Sequence, residues 1–474
     1  MEPITRRDAL KGAASLAIGA GVVGTAGRAG AAPRRERVAI VGAGAGGIAA
    51  AHFLAGTHHV ELFEARGRIG GHCDSRTVEH RGERVTVDLG AQFFHPDTHP
   101  IYVTLLEEIG LYDPEHPEAD ETLESPASLC VFPVGGGPPV LSSTNPRSTL
   151  PQALQFAQFT RLAREAVLTG LPYGTGVGTW IGGLPLEQAF KDDVLAPWIT
   201  ATIGSSRADA MRSSARAILQ TFALAFPADL TRPASTFTSR IGLQGNLQRL
   251  LDRSAEVEVH LRAPARGLER KRGRWFVRTP HGRRGPFDHV VLNAPPRIGR
   301  KLLRPLPAFA EAAELLGAYR YFDSRLVIHA DPVYVHADRA SWTAYNAGVD
   351  GRECEGSAWL GALHEPLPTG GTVDVFKSWA TRRDADPAEI LLERRFQHPL
   401  IGRGSLRAAR RLRRLQGRGG LHFSGHYTTG MDLQESAVYS AMQVARALAP
   451  RSATLAALDE RLAARGRGGI SYDL

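Results

Sequence analysis

One stretch constrains this chain more than any other, and it begins at Arg37. Val38 to Val41 form a short apolar, β-branched run, the pattern of a strand buried in a parallel sheet. Gly42, Gly44 and Gly47 follow at G-x-G-x-x-G spacing. Gly42 permits a tight turn, Gly44 lets the backbone approach a pyrophosphate, and Gly47 lets the following helix pack close to the strand. The N-terminus of that helix offers free N–H groups and the positive end of its dipole to phosphate. A second strand, Val60 to Phe63, ends at Glu64, about 20 residues after the first glycine, where a carboxylate suits the ribose hydroxyls of an adenosine and repels the extra phosphate of NADP. With 51 glycines in 474 residues, the glycine spacing alone would be weak. The strand before it, the helix after it and Glu64 together point to a dinucleotide-binding βαβ unit.

The residues after Glu64 narrow the dinucleotide. Ala65, Arg66, Arg68, Gly70, Gly71 and His72 follow directly, and then comes Val87-Asp88-Leu89-Gly90-Ala91-Gln92-Phe93-Phe94-His95. Here the chain resembles the flavin-dependent amine oxidase superfamily. In that family an Arg-x-Gly-Gly segment wraps the FAD pyrophosphate and ribityl chain, and an Asp-x-Gly segment passes near the flavin ring. The resemblance implies FAD, and an α/β fold in which a Rossmann-type FAD-binding domain is interleaved with a substrate domain of antiparallel sheet plus helical cap. It also places Ala265 where the family usually has a Val whose backbone meets adenine. Gly425-His426 stands where a Gly-Asp or Gly-Glu binds a ribityl hydroxyl, so that contact is not carried over. A helix from about Leu433 aims its N-terminus at the flavin, with Asp432, Leu433 and Gln434 as N–H donors. The implied FAD-binding set is Gly42, Gly44, Gly47, Glu64, Ala65, Arg66, Gly70, Gly71, His72, Gly90, Ala91, Gln92, Ala265, Gly425, Leu433 and Gln434.

Three further segments, Ile328 to Pro332, Ala340 to Asn346 and Phe396 to Leu400, resemble one bacterial branch of the superfamily. Its members often neighbour, or are fused to, cyclopropane-fatty-acyl synthases. That resemblance implies lipid-like substrates for some of them.

The first 32 residues read as an address. Thr5-Arg6-Arg7-Asp8-Ala9-Leu10-Lys11 resembles a twin-arginine motif, Gly12 to Ala26 is a mild apolar run, and Ala29-Gly30-Ala31 offers a small-residue cleavage pattern. The expectation is export, periplasmic or extracellular, through the twin-arginine machinery, which carries folded proteins. The apolar run is too short and glycine-rich to span a bilayer, and no other stretch qualifies. Formal charge is +9, spread mainly as arginine; the denser runs Arg266 to Arg284 and Arg403 to Arg418 read as solvated surface, with weak attraction to anionic substrates or membranes as the alternative. Nothing supports nucleic acid binding. Cys73, Cys130 and Cys354 are far apart, with no C-x-x-C and no His/Cys cluster that would bind metal; one disulfide remains open.

The organisation expected is a discontinuous FAD-binding domain (36–100, 236–300 and 415–450), a substrate and cap domain (101–235 and 301–414) and a C-terminal tail (451–474). Helices are expected at Ile101 to Leu111, Leu150 to Leu168, Leu186 to Ile203 and Arg207 to Ala225. Alternation predicts antiparallel strands at Ser324 to Ile328, Trp342 to Tyr345, Ser357 to Leu363 and Thr372 to Trp379. The aromatic residues of the cap (Phe156, Phe159, Trp180, Trp198, Phe222 and Phe226) read as core rather than as a substrate cage.

For chemistry, the family usually keeps a Lys linked through water to the flavin, and Lys377 is the best placed of five lysines. The alternative for it is a surface lysine on an edge strand. His95, Gln92 and Tyr427 are expected near the ring; His95 reads either as a general base or, the preferred reading, as a hydrogen-bonded structural histidine. Two functions stay open: an amine-oxidase-type enzyme taking hydride from a substrate carbon to the flavin, or a desaturase or double-bond isomerase acting on a lipid or polyketide-like molecule. The partner in either case is a small molecule, amine or lipid-like.

Overall fold

The structure, a computed structural model, describes residues 34–229, 232–466, 470–472 and 474. The expected signal segment lies outside the described residues. Residues 36–474 gather into one compact unit.

Its first layer is a five-stranded parallel sheet in the order Leu421–Phe423, His289–Leu292, Arg37–Val41, His59–Phe63, Val257–His260. The strands come from chain segments far apart; the central Arg37–Val41 and its neighbour His289–Leu292 read as apolar runs because both faces are covered, while the edge strand Val257–His260 is only partly buried. The helix Ala45–Leu54 follows the glycine turn and is buried along its whole length. It packs against the helix Gln434–Leu448, where only small residues fit: a Cβ on Gly46 would stand 2.9 Å from the carbonyl oxygen of Ala437. The two helices that flank the glycine turn and the far C-terminal segment are thereby brought together.

The second layer is a seven-stranded sheet in the order Ile390–Leu400, Arg320–His329, Phe376–Trp379, Glu353–Trp359, Tyr345–Asp350, Leu129–Pro133, Leu141–Ser142. Its pairs are antiparallel except Tyr345–Asp350 with Leu129–Pro133, which is parallel. Alternation located this sheet but misplaced parts of it. Tyr345–Asp350 begins where the expected Trp342 to Tyr345 strand ends, and the eleven-residue strand Ile390–Leu400 was not expected at all. That strand is rich in charge and only half-buried, so its apolar signal is thin.

Over the sheets lies the cap. Leu150–Leu168 is one helix, as its periodicity predicts. The expected helix Leu186 to Ile203 starts at Gln188 and carries a π-helical turn, Lys191–Leu195, before Ala196–Ile203. The expected Arg207 to Ala225 helix is two short ones, Arg207–Arg212 and Ala215–Leu219. Ser206 and Ser214 cap them, each side chain accepting a backbone N–H; the second cap restarts the helix and so breaks it. The stretch read as a tail contains the helix Ala453–Arg465, and Ile470 and Tyr472 are buried in the main core. No helix among the described residues is long and apolar enough to cross a membrane.

Candidate active site

A single cavity of about 1410 Å³ runs between the layers. At one end it is walled by the glycine turn. The amide of Gly42 donates to the carbonyl of Phe63 at 2.8 Å, and that of Gly70 to the carbonyl of Ala43 at 2.7 Å, so the Arg-x-Gly-Gly segment is laid against the turn. Glu64 closes the corner. One carboxylate oxygen accepts from the Ala43 amide at 2.9 Å, the other from the Arg66 amide at 2.8 Å. Gly42, Gly44, Glu64, Ala65, Arg66, Gly70, Gly71, His72, Gly90, Ala91, Gln92, Ala265, Gly425, Leu433 and Gln434 all line this one cavity, together with Lys377, His95 and Tyr427. Gly47 alone of the expected set lies behind the wall, where a Cβ would fall 2.0 Å from the carbonyl oxygen of Gly42. That is the close approach the spacing predicts for it.

The floor is built from the seven-stranded sheet. Lys377 sits on Phe376–Trp379, an interior strand, and its ammonium donates to the carbonyl of Gly90 at 2.5 Å. Burial lowers its pKa to about 8, against the pull of Asp88 and Cys73. Asp88 in turn is pushed up to about 6 by burial, while the Ser75 hydroxyl and the Leu243 amide donate to it. Beside Lys377 the rings of His72 and His398 stack with centroids 5.4 Å apart, and Phe322 stacks on His398 at 5.5 Å. Burial pulls His72 to about 4 and His398 to about 3, so both are neutral imidazoles at neutral pH. His426, on the floor's rim, is different. Burial works against its charge, yet Asp432 at 2.9 Å overrides this and holds it above the usual histidine value. Burial likewise opposes ionisation of Asp432, but His426 draws it well below the carboxylate range. His95 lines the cavity farther along; its Nδ1 accepts from the Asp97 amide at 3.1 Å and burial lowers its pKa.

The cap half of the cavity has another chemistry. Its lining comes from residues 127–226, and among the described residues none of those lining side chains is Asp, Glu, Lys, Arg or His; it gives way to the floor at Tyr345 and Ala358, the latter the cross-strand partner of Lys377. Phe156, Trp198, Ile203, Ile218, Phe222 and Phe226 dominate it. Its outer end is lined by Ala127, Ser143 and Pro146, all exposed to solvent. The reading of the cap aromatics as core is therefore incomplete. Phe159 is fully buried behind the wall, and Trp180 also lies outside the lining, whereas the other four face the cavity.

Comparison with known proteins agrees with this geometry. Residues 45–361 match the flavin containing amine oxidoreductase family. The chain belongs to it. Among solved structures, similar folds include the CLA-producing fatty acid isomerase from P. acnes (TM-score 0.60, 15% identity, 87% of this chain and 98% of that one). Putrescine oxidase bound to putrescine is another (TM-score 0.59, 16%, 88% and 100%), as is cyclohexylamine oxidase from Brevibacterium oxydans IH-35A (TM-score 0.59, 16%, 88% and 99%). A curated candidate flavin-containing monooxygenase 2 of Arabidopsis thaliana is 40% identical over 84 residues, of which the matched part spans 18% of that protein's length.

As a member of the flavin amine oxidoreductase family, the chain is an FAD-dependent oxidoreductase, and its residues suit FAD. Gly44 and Gly71 face each other so closely that a Cβ on Gly71 would meet the Gly44 Cα at 3.1 Å, leaving a smooth groove of backbone. The start of the Ala45–Leu54 helix opens into that groove, Glu64 borders it, and the start of Gln434–Leu448 opens at its other end. The cysteines are all free and buried, so no disulfide forms among them.

Several site residues escaped the sequence. His398, Phe322, Trp379 and Tyr345 come together only when the antiparallel sheet forms, and no local spacing marks them. His426 reads from the sequence as a departure from the family pattern and Asp432 as a backbone N–H donor; their side-chain pairing is made by the turn between them. A trio of possible metal ligands, Glu61, Glu258 and His260, also lies within 4.8 Å among the described residues, on neighbouring parallel strands. Arg37 and Arg284 pair with its carboxylates at 2.6 Å each, so the charge there is met without a metal.

Proposed function

We propose that this protein is an exported FAD-dependent oxidoreductase whose substrate is long, apolar and uncharged along its body, the lipid-like alternative to a small cationic amine. The observation that carries the reading is the cap lining at 127–226, which among the described residues offers a substrate no carboxylate and no cation. A buried ammonium without a counter-ion costs several kcal/mol, so a diamine finds no seat there, whereas apolar surface is favoured by about 25 cal/mol per Å² buried.

FAD supplies the redox chemistry by accepting a hydride from a substrate carbon. The protein's own contribution is orientation and proton handling. The uncharged half grips the apolar body and excludes water, which fixes the reacting end against the floor. Lys377 stands at that end. With a pKa near 8 its amine is partly neutral at physiological pH and can hold or take up a proton at Nζ while the Gly90 carbonyl keeps it in place. The neutral pair His72 and His398 leaves the floor without added positive charge.

A second reading, oxidation of an apolar amine, is favoured by Lys377 itself, in keeping with the role expected from the resemblance. Anaerobic mixing of the holoenzyme with unsaturated fatty acids, apolar monoamines and diamines separates these. Bleaching by the fatty acids supports the first reading, and bleaching by the monoamines alone supports the second. Bleaching by diamines sinks the uncharged-site argument.

Export rests on Arg6 and Arg7 in the twin-arginine-like motif. Three buried free thiols are in keeping with a chain folded in a reducing compartment before export. Replacing Arg6 and Arg7 by Lys should retain the protein in the cytoplasm by fractionation; unchanged export would remove this part of the reading.

A further inference from the structure

We infer that Phe156, Trp198, Phe222 and Phe226 form a tail site that measures the length of the substrate's apolar chain. The inference rests on the reading of an apolar substrate and adds which residues set its size limit. The four side chains come from three separate pieces of the cap: the helix Leu150–Leu168, the helix Ala196–Ile203 and the turn after Leu219. They meet as one cluster. Phe156 and Trp198 have centroids 5.2 Å apart at 73°, Trp198 and Phe222 4.8 Å at 64°, Phe222 and Phe226 6.1 Å at 78°, and Phe156 and Phe226 5.9 Å at 82°. All four line the cavity.

Two features make this part of the lining a rigid wall. Edge-to-face packing fixes each ring against its neighbours, so the wall cannot easily collapse or flex. Behind it, fully buried Phe159 lies 5.7 Å from both Phe156 and Trp198 and holds them from the rear. A rigid aromatic wall with no charge in its half of the cavity recognises an apolar chain by contact alone. Its discrimination is steric: a chain that reaches the rings gains with each carbon, and one too long to end against them must push aside rings that Phe159 backs.

The test titrates the holoenzyme with straight-chain primary alcohols of increasing length, read by perturbation of the flavin visible band. Affinity should rise about fourfold per methylene up to a cut-off, and fall beyond it. Phe222→Ala should move the cut-off to longer chains and weaken the wild-type optimum by tenfold or more. Phe156→Leu, a milder change that keeps most of the volume, should shift the cut-off by a smaller step. Leu154→Ala, on the outer face of the same helix where Leu154 is 63% exposed, should change nothing. Affinity independent of chain length overturns the inference. So does a wild-type length profile in both Phe variants when they retain flavin and a native circular dichroism spectrum. Length-dependent binding with no bleaching by any apolar compound would leave the tail site standing and remove the proposed reaction instead. Bleaching by apolar compounds without length dependence would do the reverse.

Discussion

Glu64 holds the glycine turn and borders the cofactor groove with the same carboxylate. Two of its lone pairs are committed to the Ala43 and Arg66 amides, which leaves the others for a ribose. Glu64→Ala removes both functions. A hydrogen bond to a charged group contributes about 1.5–3 kcal/mol, so FAD should bind about 10- to 100-fold more weakly, measured as the ratio of flavin to protein absorbance after dialysis. Lys377 sets a pH dependence. Its folded pKa, near 8, is below the 10.5 of the free side chain, so between these values the unfolded chain binds more protons and stability from this group rises with pH. If its neutral amine handles the proton, the rate of flavin reduction should increase with pH through an inflection near 8, and Lys377→Met should lose that inflection along with the stability slope. Glu64 was legible because its role depends on distance along one βαβ unit. Lys377 was legible only through resemblance, and its alternative as an edge-strand surface residue is removed by a neighbouring strand on each side.

At the scale of elements, the parallel sheet was the readable part. Its central strands are short apolar runs bounded by turns, and the βαβ pattern makes Arg37–Val41 and His59–Phe63 neighbours. The cap was less so. Helical periodicity shows which face is apolar and not whether that face meets another side chain or a cavity, which is why Phe156 and Phe159, on one helix, were given the same role. Serine caps and the π-turn divided elements that periodicity joined. The closest helix contact in the fold yields a sharp prediction. In Gly47→Ala the new methyl would stand 2.0 Å from the Gly42 carbonyl oxygen. The clash is with the Gly42 backbone and alanine has no rotamer to relieve it, so the helix Ala45–Leu54 must move off the turn. The variant should lose most of its flavin on purification and melt at lower temperature, a cost of about 1–3 kcal/mol or more. A glycine on the solvent side, Gly56, has nothing within 4 Å of its Cβ position. Its substitution should leave flavin content unchanged, although its positive φ carries a backbone cost.

Ile470 and Tyr472 tie the last described residues to the core. Tyr472 stacks on Tyr439 of the Gln434–Leu448 helix with ring centroids 4.1 Å apart, and its hydroxyl donates to Glu435. Glu435 also accepts the amides of Ile101 and Tyr102 at 3.0 and 2.8 Å, so one buried carboxyl joins three distant parts of the chain beside the helix that opens on the cofactor groove. Ending the chain after Arg465 removes the burial of Ile470 and Tyr472, about 1.5–3 kcal/mol each. For a chain of about 440 residues a kcal/mol corresponds to roughly 1 °C, so the melting temperature should fall by roughly 3–6 °C. Burial raises the Glu435 pKa from 4.5 to about 7, against the hydrogen bonds it receives. The folded state therefore binds this proton more tightly than the unfolded chain. The resulting stabilisation is full below about 4.5 and is lost as pH rises through 7. Glu435→Gln cannot lose it, so the variant's melting temperature relative to wild type should improve on going from pH 5 to pH 8. An unchanged difference at the two values would mean that Glu435 titrates alike in the folded and unfolded chains, and that the C-terminal segment holds the helix through packing alone.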